Sequence, residues 1–218
     1  MRRTTRGLTA IVILVVWLSV GTGAFAGGDF VYRPKFALSG PIASNLRWTG
    51  SLEPKITSDA QQAGEISLVG GLWWKPMAHV TVEPQFKYVT KGKDGNSNES
   101  RPRISLELDD KAGPFKIAVR NRFEYRMKEH KDAYWRYRAR AKVKFPKVAR
   151  VTPFLYEEVF YEFGDKDELD GNEAGVGAGI RLGNRLALDV DLRCRHSKHG
   201  GRWGTGDIHL LTVLKYDF

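Results

Sequence analysis

The sequence predicts an all-β fold, an antiparallel transmembrane β-barrel of about ten strands with a periplasmic C-terminus and a polar, arginine-rich lumen. Three observations predict it. Segment after segment alternates apolar with charged residues at period two. The connections between segments alternate between long and short. The chain opens on an export leader and closes on an aromatic residue.

The leader comes first. Residues 1–26 carry Arg2, Arg3 and Arg6, then the apolar run Leu8 to Val20, then the small-x-small site Ala24-Phe25-Ala26. That is the layout of a signal peptide, with the mature chain expected from Gly27. The apolar run falls short of the roughly 20 residues a membrane-spanning helix needs. Removing the three leader arginines from the formal net charge of +10 leaves a chain that is still basic. An exported protein does not meet nucleic acid, so none is expected as a partner. The single cysteine, Cys194, rules out an intrachain disulfide and falls on the apolar face of its segment.

Residues 27–45 are read as a lead segment and 46–218 as the barrel domain. The alternating segments fall at about 46–57, 64–75, 78–90, 102–109, 115–127, 134–145, 152–163, 173–183, 186–196 and 207–218. Counted back from a periplasmic C-terminus, 46–57 is the first of ten strands. FVYRPKFALSG at 30–40 would be an eleventh and would leave the N-terminus outside, so it is expected to lie in the periplasm or lumen. One missed strand would make twelve. Pro84 is awkward within 78–90, because proline removes a ladder donor and a closed barrel has no free edge. A bulge there, or a strand starting after Pro84, resolves it.

In 134–145 the alternation is strict. Trp135, Tyr137, Ala139, Ala141, Val143 and Phe145 share one face; Arg136, Arg138, Arg140, Lys142 and Lys144 share the other. The neighbouring segments are similar: Lys116, Arg120, Arg122, Glu124 and Arg126 in one, Glu158 and Glu162 in the next, Asp189, Asp191, Arg193 and Arg195 further on. A soluble sandwich would turn the apolar faces inward; a membrane barrel turns them outward and the charges into the lumen.

The connections favour the barrel. KGKDGNSNES, MKEHKD, GDKDELDG and HSKHGGRWGTG alternate with the shorter KPMAH, DDKAG, FPKVA and GNR. Outer-membrane barrels show this asymmetry, with long loops outside and short turns in the periplasm. Trp74, Phe115 and Phe145 stand beside short turns, and Tyr88 and Trp135 beside long loops, as two aromatic girdles require. The terminal IHLLTVLKYDF, ending on Phe218, resembles the signal that barrel assembly machinery recognises. The expected location is therefore a Gram-negative outer membrane, in contact with its lipid and lipopolysaccharide.

Loop lengths set the register inside this lumen. Arg122 is expected opposite Arg138 and Arg120 opposite Arg140, a like-charge arrangement that is unfavourable in a sheet. Glu158 is expected beside Arg138 or Arg140, Glu162 beside Arg136, with Glu124 also within reach of Arg136. A three-residue loop at GNR puts Gly177 and Gly179 beside Asp191 and Asp189, leaving room for long side chains from across the lumen. The basic ladder is thus Arg120, Arg122, Arg126, Arg136, Arg138, Arg140 and Lys142, and its acidic partners are Glu124, Glu158, Glu162, Asp189 and Asp191.

The ladder has two readings: a salt-bridged plug that fills the lumen of a structural protein, or a narrow anion-biased track that passes or binds a small anionic solute or lipid head group. Arginine suits the second because its planar fork holds carboxylate or phosphate at two points. The stretches RNRFEYRMKEHKDAYWRYRARAKVKFP and PFLYEEVFYEF resemble the arginine-rich middle of the bacterial family known as domain of unknown function 2490. That resemblance implies an outer-membrane barrel and supplies no functional residues.

A rim-sited hydrolase is the third alternative. Its candidates are His130 with Glu129 and Asp132, and His196 with Ser197, His199 and Asp207, all in outer loops. Solvated loop residues are the simpler reading of both groups, and no catalytic residue is assigned. His196 and His199 lack a third ligand. DKDELDGNE at 165–173 hints at calcium but places Leu169 and Asp170 where that loop needs an oxygen ligand and a glycine. AGVGAGI lacks the dinucleotide spacing and sits in a strand. No metal and no cofactor are expected.

Overall fold

The computed structural model describes residues 30–57, 64–92, 97–164, 167–199, 202–204 and 206–218. The leader lies outside the described residues. The strands are β1 (Phe30–Ala43), β2 (Leu46–Pro54), β3 (Ile56–Thr57), β4 (Glu65–Met77), β5 (Val80–Lys91), β6 (Asn98–Ala112), β7 (Phe115–Lys128), β8 (Tyr134–Lys144), β9 (Val151–Phe163), β10 (Glu168–Arg181), β11 (Leu186–His199), β12 (Arg202–Trp203) and β13 (Asp207–Asp217). Eleven long strands close a barrel, in the order β1, β2, β4 through β11, β13 and back to β1. Two short pieces attach to it: β3 carries on from β2 against β1, and β12 folds back on β11.

The strand count corrects the expectation at one place. Residues 30–43 are not a lead segment but a barrel strand, antiparallel to β2 and parallel to β13, with Phe30 opposite Ile208 and Ser39 opposite Asp217. The physical reason is closure. β1 satisfies the open edges of both β2 and β13, and it has an alternating face of its own, with Val31 buried and Phe36 and Leu38 exposed. In a ring with an odd number of strands, directions cannot alternate all the way round, so one pair must be parallel. As a result Phe30 stands at the end of the barrel that carries the long connections.

The two ends differ as expected. Turns at 44–45, 78–79, 113–114, 145–150 and 182–185 gather at one end, and the strand ends that flank the other connections, such as Lys91 and Asn98, Lys128 and Tyr134, and Phe163 and Glu168, gather at the other. Gly113 sits at a positive φ of 60° in the tightest class of turn, a backbone state that costs glycine nothing.

The prolines explain where the ladders lapse. Pro34 and Pro54 stand opposite each other, between the pairs Tyr32–Ile56 and Phe36–Leu52, and neither has an N–H to give. The ladder stops there, which divides β2 from β3. Pro84 lies well inside β5 and is paired on its β6 side with Ile104. On its β4 side the pairing skips from Gly71–Gln85 to Trp74–Val82, and a bulge follows between Trp74 and Met77. Gly71 makes this approach feasible: a Cβ there would lie 2.5 Å from the Pro84 carbonyl oxygen.

The outer face is apolar and exposed, with Leu68, Ile104, Phe123 and Trp135 among its residues. The inner face carries the buried charges, Glu124 at 0% and Glu158 at 2% exposure. This is the polarity of a transmembrane barrel, inverted relative to a soluble one. Aromatic pairs mark both ends: Phe115 meets Phe145 edge-on at 5.6 Å by the short turns, and Tyr125 packs on Trp135 at 4.9 Å by the long connections.

Candidate functional site: the charged lumen

The expected registers hold. Arg122 faces Arg138 and Arg120 faces Arg140 across β7 and β8, with Glu124 facing Arg136. Across β8 and β9, Arg136 faces Glu162 and Arg140 faces Glu158. Gly177 and Gly179 face Asp191 and Asp189 across β10 and β11.

The side chains relieve the like-charge pairs by reaching diagonally. Arg138 donates to both oxygens of Glu158, at 3.0 and 2.8 Å, and to Glu124 at 3.4 Å. Arg136 donates twice to Glu124 Oε2, at 3.1 and 2.7 Å, and Arg120 donates to Glu158 at 2.9 Å. Arg122 turns the other way, to Ser105 Oγ at 2.7 Å. Glu124 and Glu158 are therefore each shared among several guanidiniums, and their burial is compensated by charge-assisted hydrogen bonds. Glu124, Arg136, Glu158 and Phe160, all buried, mark the waist of the lumen. Phe160, 1% exposed, lies beneath Arg138 and Arg195, whose guanidinium carbons lie 4.7 and 5.0 Å from the ring centre.

The remaining predicted residues fall into separate groups. Arg126, nearer the long connections, donates to Glu99 at 2.5 and 3.0 Å and approaches Glu162 at 3.9 Å. Asp191 is held by both arms of Arg193, which also donates to Glu173 at 2.9 Å; Tyr156 joins the pair through its hydroxyl. Asp189 is paired with Lys215. Lys142 lies over Phe154, 3.5 Å from the ring centre, with no ion-pair partner among the described residues.

Several members of this lumen are not in the predicted set. Glu99 and Arg101 belong to it because β6 begins four residues earlier than the alternation suggests, inside the polar run NSNES. Glu173, Tyr156 and Phe160 carry a weaker signal, since they sit at lumen positions of segments already read as strands. The space above the glycines of β10 is taken by the adjacent strand rather than by side chains from across the lumen. A Cβ on Gly175 would lie 2.5 Å from the Tyr156 ring, and one on Gly177 would lie 2.7 Å from Phe154.

The rim candidates for chemistry do not converge. His130 is 83% exposed and 3.8 Å from Glu129. His196 points to the outer face, with its Nε2 3.9 Å from Cys194 Sγ, while Ser197 projects to the opposite face by strand alternation. The side chain of His199 and residues 165–166 of the acidic loop lie outside the described set.

The short-turn half of the lumen has a different character. There β7 and β8 set Lys116 opposite Lys144 and Arg120 opposite Arg140, with Lys142 between. Arg140 reaches Glu107 at 3.5 Å, but the Nε groups of Arg120 and Arg140 are buried without a hydrogen-bond partner. The result is a cationic funnel in charge and burial, running from exposed Lys116 and Lys144 to buried Glu158.

A closed barrel of strands with an apolar exterior and a charged lumen is a porin-like β-barrel, the class to which outer-membrane barrels belong. The chain belongs to the family described as Protein of unknown function (DUF2490), which it matches over residues 16–205. Among solved structures it is similar to one described as "NanC porin structure in rhombohedral crystal form". The two share 10% identity and a TM-score of 0.52, over 82% of this chain and 94% of that one. At that identity the likeness is one of fold alone. No curated protein matches the chain.

Proposed function

We propose that the protein is an outer-membrane barrel whose lumen attracts and binds small anionic solutes and admits them through a constricted waist. One observation carries this reading: the facing cations of β7 and β8 in the short-turn half, with buried Arg120 and Arg140 donors left open. Like charges directly opposed cost a sheet stability, and a bound carboxylate or phosphate oxygen would offset that cost. Carbon walls of low dielectric strengthen the attraction. The apolar exterior, the two aromatic ends and the export leader support placement in the outer membrane, and Phe218 at the C-terminus supports delivery by barrel assembly machinery.

The test is a single-channel recording of the refolded mature chain in planar bilayers. Conductance biased toward anions and reduced by added inorganic phosphate is expected. A second reading, a structural barrel with a closed lumen, is favoured by the burial of Glu124 and Glu158 at the waist. It predicts no conductance above the bare bilayer and no phosphate binding.

A further inference from the structure

Two prolines sit inside adjacent strands of a closed wall, where proline is strongly disfavoured. Pro84 on β5 and Pro102 on β6 occupy diagonal positions on the outer face, since Pro84 is paired with Ile104 and Phe86 with Pro102. The β5–β6 seam is fully paired between them. The outer seams are not. Pairing with β4 skips the residues beside Pro84, and pairing of β6 with β7 skips from Ser100–Met127 to Arg103–Glu124, beside Pro102. The β5–β6 hairpin is thus a panel with an interrupted ladder on each flank.

Over this panel the apolar exterior dips into a shallow, open groove of about 600 Å³. Its floor is Gly70, Pro84 and Pro102, three positions without a long side chain. Its walls are Phe86, Ile104, Phe123, Tyr125 and Trp135. The side chains of Gln85 and Arg103 turn by alternation to the lumen face, where Arg103 Nε donates to Gln85 Oε1 at 2.9 Å and the Arg103 guanidinium approaches Glu124 at 4.0 Å.

We propose that this groove on the outer wall of β4 to β7 binds one acyl chain of a membrane lipid. The occupant follows from the surroundings. The groove is continuous with the apolar band, where Phe86, Ile104, Phe123 and Trp135 are all exposed. It crosses the strands along the paired row Gly70, Phe86 and Pro102 to Tyr125 and Trp135, from the middle of β4 to the long-connection end of β8. At the rim it ends on the packed pair Tyr125 and Trp135, and amphipathic aromatics of this kind settle at head-group level. Apolar walls without a free charge suit a hydrocarbon chain and give a polar ligand nothing to bond. The inference is separate from anion binding in the lumen and rests only on insertion of the apolar band into a bilayer.

The experiment uses the mature chain refolded into phosphatidylcholine vesicles doped with a phosphatidylcholine bearing a photoreactive diazirine on its acyl chain. Cross-links are mapped by mass spectrometry, and migration before and after boiling reports insertion. Labelling concentrated on Phe86, Ile104 and Phe123 over other outward residues is expected. Gly70→Leu fills the floor without a clash, because a Cβ there meets nothing within 4 Å. It should lower groove labelling several-fold, whereas Ala141→Leu, elsewhere on the outer face, should leave it unchanged. Should Gly70→Leu not insert, Trp135→Ala opens the rim and should lower labelling in its place. Inserted protein labelled evenly around the barrel, or groove labelling that persists in the filled variant, overturns the groove alone. Failure of the wild type to insert overturns the membrane reading together with it.

Discussion

Arg138 holds Glu158 with both arms of its guanidinium and reaches Glu124 with the third nitrogen, so one β8 side chain ties β7 to β9 across its own strand. Its direct neighbours in the ladder are Arg122 and Phe160. Stability at this level comes from the diagonal, and the carboxylates are the scarce members of the network.

Removing one of those carboxylates should be costly. Glu158→Gln leaves Arg138 and Arg120 buried with less than their counter-charge, and breaking a buried ion pair in this way typically costs about 3–5 kcal/mol. Urea titration of the refolded barrel should show a lower midpoint for Glu158→Gln. In a double-mutant cycle with Arg138→Met, the second substitution should recover part of the loss. Additive losses would show that the pair is not coupled.

The β10 glycines separate into two classes. At Gly177 a Cβ would meet the Val190 carbonyl oxygen at 2.4 Å, which is backbone and cannot move aside. At Gly179 the nearest atom is Asp189 Oδ1 at 3.1 Å, the tip of a side chain free to turn. Gly177→Val should therefore abolish the folded band that migrates differently before boiling, and Gly179→Ala should keep it. Equal behaviour of the two would count against the close packing of Phe154 on β10.

Much of this lumen was legible before the structure, because hairpin loop lengths fix cross-strand register and period-two alternation fixes the face. That is why the Arg122–Arg138, Arg120–Arg140 and Gly177–Asp191 neighbours follow from the sequence. Three things did not follow. The role of β1 depends on closure of the whole ring, which no local pattern reports, and Pro34 weakens the local signal further. Glu99 and Arg101 sit in a polar stretch that reads as loop until β7 pairs with it. The diagonal reach of the arginines depends on rotamers chosen by three strands at once.

The parallel closure can be tested by cross-linking. In a Cys194→Ser background, Phe36→Cys with Leu214→Cys places two thiols on directly paired residues of β1 and β13. Mild oxidation of the folded barrel should join them, shifting gel mobility reversibly with reductant. Absence of the link in folded protein would return residues 30–43 to the lead segment that parity suggests.

Orientation follows from the two ends. In the same background, cysteine at Lys131 or Asp167 should react with an impermeant maleimide on intact cells, and cysteine at Lys147 or Asn184 should react only after lysis. The reverse pattern would place the short turns and the cationic funnel outside the cell.

The most direct test of the lumen reading is the reversal potential of single channels under a salt gradient, for wild type and for Arg120→Glu with Arg140→Glu. Both residues line the funnel; Arg138 keeps its bidentate pair with Glu158, while Glu158 loses its bond from Arg120, so heat-modifiable migration is checked to show that the variant still folds. Charge at a constriction sets the local potential that an ion meets. The wild type should reverse on the anion-selective side, and the double substitution should move the reversal potential toward cation selectivity. A conducting wild type whose reversal potential is unmoved by both substitutions would contradict an anion-binding lumen and leave the arginines as scaffold.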